Sequence, residues 1–129
     1  MSEYNFSKEI NMPFNEALDV VTQALKDEGF GVLTEIDVKE TMKKKLNVDF
    51  PNYKILGACN PPFAYKALTA EIEIGTFLPC NVVVYERDSK IMLAVMKPSA
   101  AMGMVKNPAL QEIALQVENK LKHLFDSVN

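Results

Sequence analysis

Residues 78–96 carry the clearest pattern in the chain and read LPCNVVVYERDSKIMLAVM. Two nearly continuous apolar runs, Leu78–Tyr85 and Ile91–Met96, flank the polar turn Glu86–Lys90. Apolar runs of this length on either side of a short polar turn predict a β-hairpin. Because the runs are apolar at almost every position, we expect both strands to lie centrally in a sheet, with at least one face fully covered.

Helical patterns begin well upstream of this hairpin. An amphipathic helix is predicted between Pro13, which suits a first helical turn, and Gly29, which suits a left-handed cap. A shorter helix is predicted from Asp37 to about Asn47, because Asp37 and Glu40 have the spacing of a capping box.

Asparagine–proline pairs open the two remaining predicted helices. Asn60 and Asn107 each stand where an N-cap is expected, with proline at the first helical position. The first of these helices is predicted to end near Glu71, and the second is the longest in the chain. Between the hairpin and this last helix, Pro98–Val105 is predicted to be a small-residue connection. Its methionines are open to three interpretations: ordinary core packing, a lid over an apolar ligand, and soft ligands for copper(I) together with a cysteine.

The strands complete the predicted architecture. Tyr4–Ile10, Phe30–Ile36 and Tyr53–Cys59 join the two hairpin strands. Hairpin-linked strands with a long closing helix favour an α+β fold, in which helices cover one face of an antiparallel or mixed sheet. A length of 129 residues with 48% hydrophobic side chains fits one domain, residues 1–129.

The composition disfavours several classes of partner. The 14 Lys+Arg and 17 Asp+Glu residues give a net charge of -3, so no nucleic-acid partner is expected. No apolar run is long enough to span a membrane, and Met1–Tyr4 does not resemble the start of a secretory signal. We therefore expect a cytoplasmic protein without a membrane partner, whose two cysteines are free thiols.

Cys59 is the first candidate functional residue. It immediately precedes a predicted helix, whose positive end would favour a thiolate. It also closes the apolar run Ile55–Ala58, where cysteine acts as a small hydrophobic residue. Both interpretations, a reactive thiol and a core residue, are open at this point.

Cys80 repeats the same local pattern. It lies between Pro79 and Asn81, so both cysteines occur in Cys-Asn pairs next to a proline. Proline in a strand marks an edge, a bulge or a first residue, which is a position where backbone amides can face a ligand. Packing of the sulfur in the core is the alternative interpretation.

The two thiols together raise three chemical possibilities: a redox pair, a soft metal site and a sulfur carrier. None has supporting spacing, because the cysteines are 21 positions apart and the single histidine cannot complete a zinc site. No metal site and no particular cofactor are predicted.

Three segments of the chain resemble a known family, the bacterial and archaeal proteins grouped as domain of unknown function 302. The resemblance lies in Glu28–Asp37, Ile55–Pro61 and Ile74–Val84, and it extends over about Tyr4–Phe125. It implies one α+β domain with helices over a curved antiparallel sheet, similar to the arrangement in TATA-binding protein, and a homodimer. It implies no catalytic residues. It does draw attention to seven residues of the matching segments: Gly57, Cys59, Asn60, Pro61, Pro79, Cys80 and Asn81.

These observations lead to three functional hypotheses. The first is a dimeric binding module whose small ligand lies between sheet and helices, near Cys59–Pro61 and Pro79–Asn81. Free amides at the start of the third helix and the two asparagine side chains would then orient a polar or anionic group of the ligand. The second is a thiol-dependent sulfur or redox enzyme, and the third is a purely structural dimeric module with inert cysteines.

Overall fold

The predicted hairpin forms the core of a five-stranded sheet in a computed structural model, which describes residues 2–129. The strands are β1 (Asn5–Ile10), β2 (Gly31–Asp37), β3 (Tyr53–Cys59), β4 (Cys80–Arg87) and β5 (Lys90–Met96). Their spatial order is β1-β5-β4-β3-β2, and all four neighbouring pairs are antiparallel. The α+β class is thereby confirmed, and the sheet is antiparallel rather than mixed.

Residues 2–129 also contain five α-helices and one 3₁₀ helix. The α-helices are α1 (Phe14–Asp27), α2 (Val38–Leu46), α3 (Pro61–Ala70), α4 (Pro98–Met102) and α5 (Pro108–Ser127), and the 3₁₀ helix is Ile72–Phe77. The 3₁₀ helix was not predicted, and the predicted connection Pro98–Val105 begins with α4 instead. Both short helices lack the apolar period by which longer helices are recognised.

One face of the sheet packs against α1 and α5 to form the main core. Alternate residues of the central strands point to this face, and Val82 of β4 and Val95 of β5 have no exposed surface. Val21 of α1 and Leu121 of α5 are equally buried against them. Helices therefore cover the central strands, as the continuous apolar runs predict.

The residues between these core positions point to the opposite face of the sheet. Ile55, Val83, Tyr85 and Met92 lie on this face and are only partly buried. We call the surface formed by these four side chains the outer face.

Local signals account for the turns and helix ends. Asp88 and Ser89 have φ of 54° and 64°, which gives the two-residue turn typical of a tight hairpin. Asp37 caps α2 by accepting a hydrogen bond of 3.0 Å from the backbone N–H of Glu40. The capping box is only half formed, because the Glu40 carboxylate instead accepts from Lys44 Nζ at 2.7 Å.

Candidate functional site

A cavity of about 370 Å³ lies between the sheet and the helices, where β3 ends and β4 begins. Cys59, Asn60, Pro79 and Cys80 line it, so the two Cys-Asn segments meet in space. The remaining wall is almost entirely apolar and includes Phe30, Phe63, Ala67, Leu78, Met102 and Val117. Since a dry cavity of about 150 Å³ accommodates benzene, this one has room for an apolar body of about two fused rings.

The strand register brings the two cysteine residues close together along the backbone. Ala58 of β3 lies directly opposite Cys80 of β4, and Cys59 is the next residue along β3. Strand geometry therefore separates the two cysteine Cα atoms by about 6 Å. Both cysteines are free thiols and share one cavity.

The two thiols differ in their environments. Cys80 is 6% exposed, and this burial, with a smaller contribution from the neighbouring Cys59, raises the pKa of the Cys80 thiol to about 11. Cys80 is therefore protonated near neutral pH and is a poor nucleophile. Cys59 is only partly buried at the cavity wall, so it is the thiol that a reagent can reach.

The start of α3 differs from the expected anion-binding end of a helix. Pro61 and Pro62 occupy the first two helical positions, and neither has a backbone N–H. Phe63 alone among the first three residues of α3 carries an N–H. No Lys, Arg or His lines the cavity among the described residues. The expectation that amides at this helix orient an anionic group is thus not supported by the local geometry.

Asn60 occupies the N-cap position of α3, but its side chain does not cap the helix. Its Nδ2 instead donates to the backbone carbonyl oxygen of Glu28 at 3.3 Å. The residue is 8% exposed and lines the cavity. Asn60 is therefore a buried polar residue at the edge of a space whose wall is otherwise apolar except for Thr34 and the two thiols.

Three of the predicted site residues do not line the cavity. Pro61 is exposed, and Asn81 is exposed on the same side of the sheet as the outer face. Gly57 is buried next to the cavity wall, where a Cβ atom would lie 2.7 Å from Pro79 Cγ and would also collide with the Thr34 side chain. Gly57 therefore allows Pro79 and Thr34, which do line the cavity, to lie against β3.

Several cavity residues were not predicted as site residues. Phe63, Ala67 and Val117 belong to apolar helix stripes, which indicate burial but do not distinguish a filled core from a cavity wall. Met102 lies in the methionine-rich segment, for which core packing and a lid over an apolar ligand were among the open interpretations, and it is buried at the cavity. That segment was the one sequence signal for this part of the wall.

Residues 2–129 contain neither a helix that could span a membrane nor a cluster of metal ligands. None of the helices there is both long and apolar enough to cross a bilayer. Within the same residues, no three His, Cys, Asp or Glu side chains cluster as metal ligands would.

Comparison with known proteins places the chain among uncharacterised relatives. The family model described as "Domain of unknown function DUF302" matches residues 6–128. A crystal structure of an uncharacterised conserved DUF302 protein from Bacillus stearothermophilus is similar, with 33% sequence identity and a TM-score of 0.92. The similarity covers 99% of this chain and 100% of that one. No curated protein matches. Because the family model and the solved structure agree over nearly the whole chain, the protein belongs to the DUF302 family.

Proposed function

We propose that this protein is a binding module that holds a small, neutral and largely apolar molecule in the cavity between sheet and helices. The observation that carries the proposal is the cavity itself, with a volume of about 370 Å³ and almost entirely apolar walls. Ligand sites in proteins are concave, mostly apolar and of comparable volume, with few polar groups. The thiols are free, which suits the cytoplasm, where we propose that the protein works.

The charge of the ligand follows from the residues that line the cavity. No charged side chain faces the space among the described residues, so an ionic ligand would lose its hydration without gaining a counter-charge. A neutral molecule avoids this cost and gains from the burial of its apolar surface.

A titration with naphthalene, followed by ¹H–¹⁵N NMR, tests this proposal. We expect shifts confined to residues around the cavity, such as Cys59, Ala67 and Met102. The variant Ala64→Phe places a ring from α3 in the cavity and should abolish these shifts. The matched control, Ala109→Phe on the exposed start of α5, should leave them unchanged. Naphthalene shifts that are absent, or that survive in Ala64→Phe, would refute the proposal.

We further propose that two copies of the chain associate through the outer face. Ile55, Val83, Tyr85 and Met92 give this face an apolar centre that is only partly buried within one chain. From the usual spacing between strands and rise per residue, five strands of about six residues form a sheet face with an area of roughly 500 Å² per chain. Two such faces together reach about 1,000 Å², the lower range of specific interfaces.

Sedimentation equilibrium of two matched variants tests the dimer. Val83→Lys places a charge at the centre of the outer face and should convert dimer to monomer, since burying an unpaired charge is costly. Val20→Lys, on the exposed side of α1, is the control and should remain dimeric. A wild-type protein that is monomeric, or a Val83→Lys variant that stays dimeric, would contradict this part of the proposal.

A further inference from the structure

Asn60 is the one buried polar or charged residue of the chain between residues 2 and 129. It is 8% exposed and lines the cavity. Its Nδ2 donates to the Glu28 carbonyl, but no group of the described residues donates to its Oδ1. No fully buried side-chain N or O atom of residues 2–129 lacks a hydrogen-bond partner, so the unpartnered Oδ1 is an accessible atom and not one enclosed in the core. Because the residue is 8% exposed and lines the cavity, Oδ1 is available to accept a hydrogen bond from a molecule outside the protein.

The other asparagine–proline pair shows what a full set of partners looks like. Asn107 Oδ1 accepts from the N–H groups of Ala109 and Leu110, at 3.1 and 3.3 Å. Its Nδ2 donates to the backbone carbonyl oxygen of Ala70 at 2.9 Å and to the Glu71 carboxylate at 3.2 Å. Both ends of the Asn107 amide are thus engaged, in contrast to Asn60.

The difference lies in the residue after the first proline. Asn60 is followed by two prolines, so the second helical position of α3 has no N–H to donate. The corresponding position after Asn107 is Ala109, which does donate. The bond to the Glu28 carbonyl oxygen fixes Nδ2. Oδ1 of the same amide then has no donor from the described residues, and Asn60 forms part of the cavity wall.

This acceptor adds a chemical requirement to the ligand. An acceptor is satisfied by a hydroxyl or N–H group, and it disfavours a carboxylate, a phosphate or an ether, which only accept. Thr34 is the one other described residue of the cavity wall whose side chain carries an N or O atom. Because polar groups are so few, one correctly placed donor on the ligand would distinguish it from a molecule of the same shape without a donor.

We infer that Asn60 Oδ1 is the polar anchor of the cavity, and that the ligand is a neutral apolar molecule carrying one hydroxyl or N–H donor, as phenols, alcohols and aromatic amines do. This inference rests on the proposed binding function and names the chemical class of its ligand.

Three probes of similar size test the inference: 2-naphthol, which has a donor, 2-methoxynaphthalene, which has none, and 2-naphthoate, which is charged. Dissociation constants at pH 7 should favour 2-naphthol over 2-methoxynaphthalene by about tenfold in the wild-type protein. In Asn60→Ala the ratio should fall to about one, while 2-methoxynaphthalene keeps most of its affinity. 2-Naphthoate should bind more weakly than 2-naphthol to the wild type.

A second measurement uses the wild-type protein alone and does not depend on the folding of Asn60→Ala. The Asn60 side-chain amide resonances should shift on addition of 2-naphthol and move much less with 2-methoxynaphthalene. Equal affinities for these two probes would overturn the inference while leaving the naphthalene result, and hence the proposed function, intact. If naphthalene itself does not bind in the cavity, the proposed function fails, and the inference fails with it.

Discussion

Asn60 Nδ2 donates a hydrogen bond of 3.3 Å to the backbone carbonyl oxygen of Glu28. Glu28 is the C-cap residue of α1, and Asn60 is the N-cap residue of α3, so the bond joins two helix ends that are 32 positions apart. It fixes the orientation of the Asn60 amide at the cavity wall. The end of α1 thereby positions a residue of the site without itself carrying a functional side chain.

Gly57 is a position where even a methyl group should be harmful. In Gly57→Ala the new Cβ would meet Pro79 Cγ at 2.7 Å and the Thr34 side chain at an even closer distance, so the cavity wall must move. We expect a loss of about 1 to 3 kcal/mol in the free energy of unfolding, the usual effect of overpacking. Urea unfolding measures it.

The matched control for this substitution is Gly31→Ala in the neighbouring strand β2. A Cβ at Gly31 has no neighbouring atom within 4 Å, so stability should be unchanged or slightly higher. Equal effects of the two substitutions would show that Gly57 is not required by close packing.

The buried Cys80 thiol should make stability fall at alkaline pH. Its pKa rises from 9.0 to about 11 on folding, so the unfolded thiol ionises first, and the native state loses stability as the pH rises from about 9 to about 11. The full loss in the free energy of unfolding is about 2 to 3 kcal/mol, and no loss occurs below about pH 9. Urea unfolding of the wild type and Cys80→Ala, under reducing conditions from pH 7.5 to 10.5, measures the difference. If the free energy of unfolding changed with pH in the same way for the two proteins, the burial of the Cys80 thiol would be contradicted.

Cys59 should react with iodoacetamide in the native protein, whereas Cys80 should react only when the protein unfolds. The partial exposure of Cys59 at the cavity wall and the burial of Cys80 give this order. Saturation with 2-naphthol should slow alkylation of Cys59, because Cys59 lines the cavity that the ligand fills. Peptide mass spectrometry resolves the two sites, and preferential labelling of Cys80 in the native protein would contradict this order of reactivity.

Glu118 should hold α4 in place at the cavity wall. Its carboxylate Oε1 accepts from the backbone N–H of Ser99 at 3.0 Å and from Ser99 Oγ at 2.5 Å. Glu118→Ala removes both bonds and should cost about 1 to 3 kcal/mol of stability, with faster amide exchange in α4. Glu112→Ala, at an exposed position of the same helix, is the control and should have little effect. Unchanged exchange in α4 would show that Glu118 does not fix this helix.

Sequence patterns predict the larger elements because periodicity and turn chemistry are local. The hairpin of β4 and β5 and the helix α5 follow from their apolar runs, and Asp37 and Asn47 mark the two ends of α2. The 3₁₀ helix Ile72–Phe77 has no such period, and tertiary packing determines it.

The site is less accessible to sequence reasoning, for a physical reason that Asn60 illustrates. Asn60 and Asn107 carry the same N-cap signal, yet only Asn107 caps its helix. The outcome depends on Pro62 and on the carbonyl oxygen of Glu28, a partner 32 residues away. Likewise, the meeting of Cys59 and Cys80 at one cavity depends on the register of β3 and β4, and the same register directs Asn81 to the other side of the sheet.

A crystal structure of the protein grown with 2-naphthol tests the central claim most directly. The account predicts electron density for one naphthol in the cavity between β3, α3 and α5, with its hydroxyl within hydrogen-bond distance of Asn60 Oδ1. An empty cavity, with naphthol bound elsewhere on the protein or not at all, would contradict it.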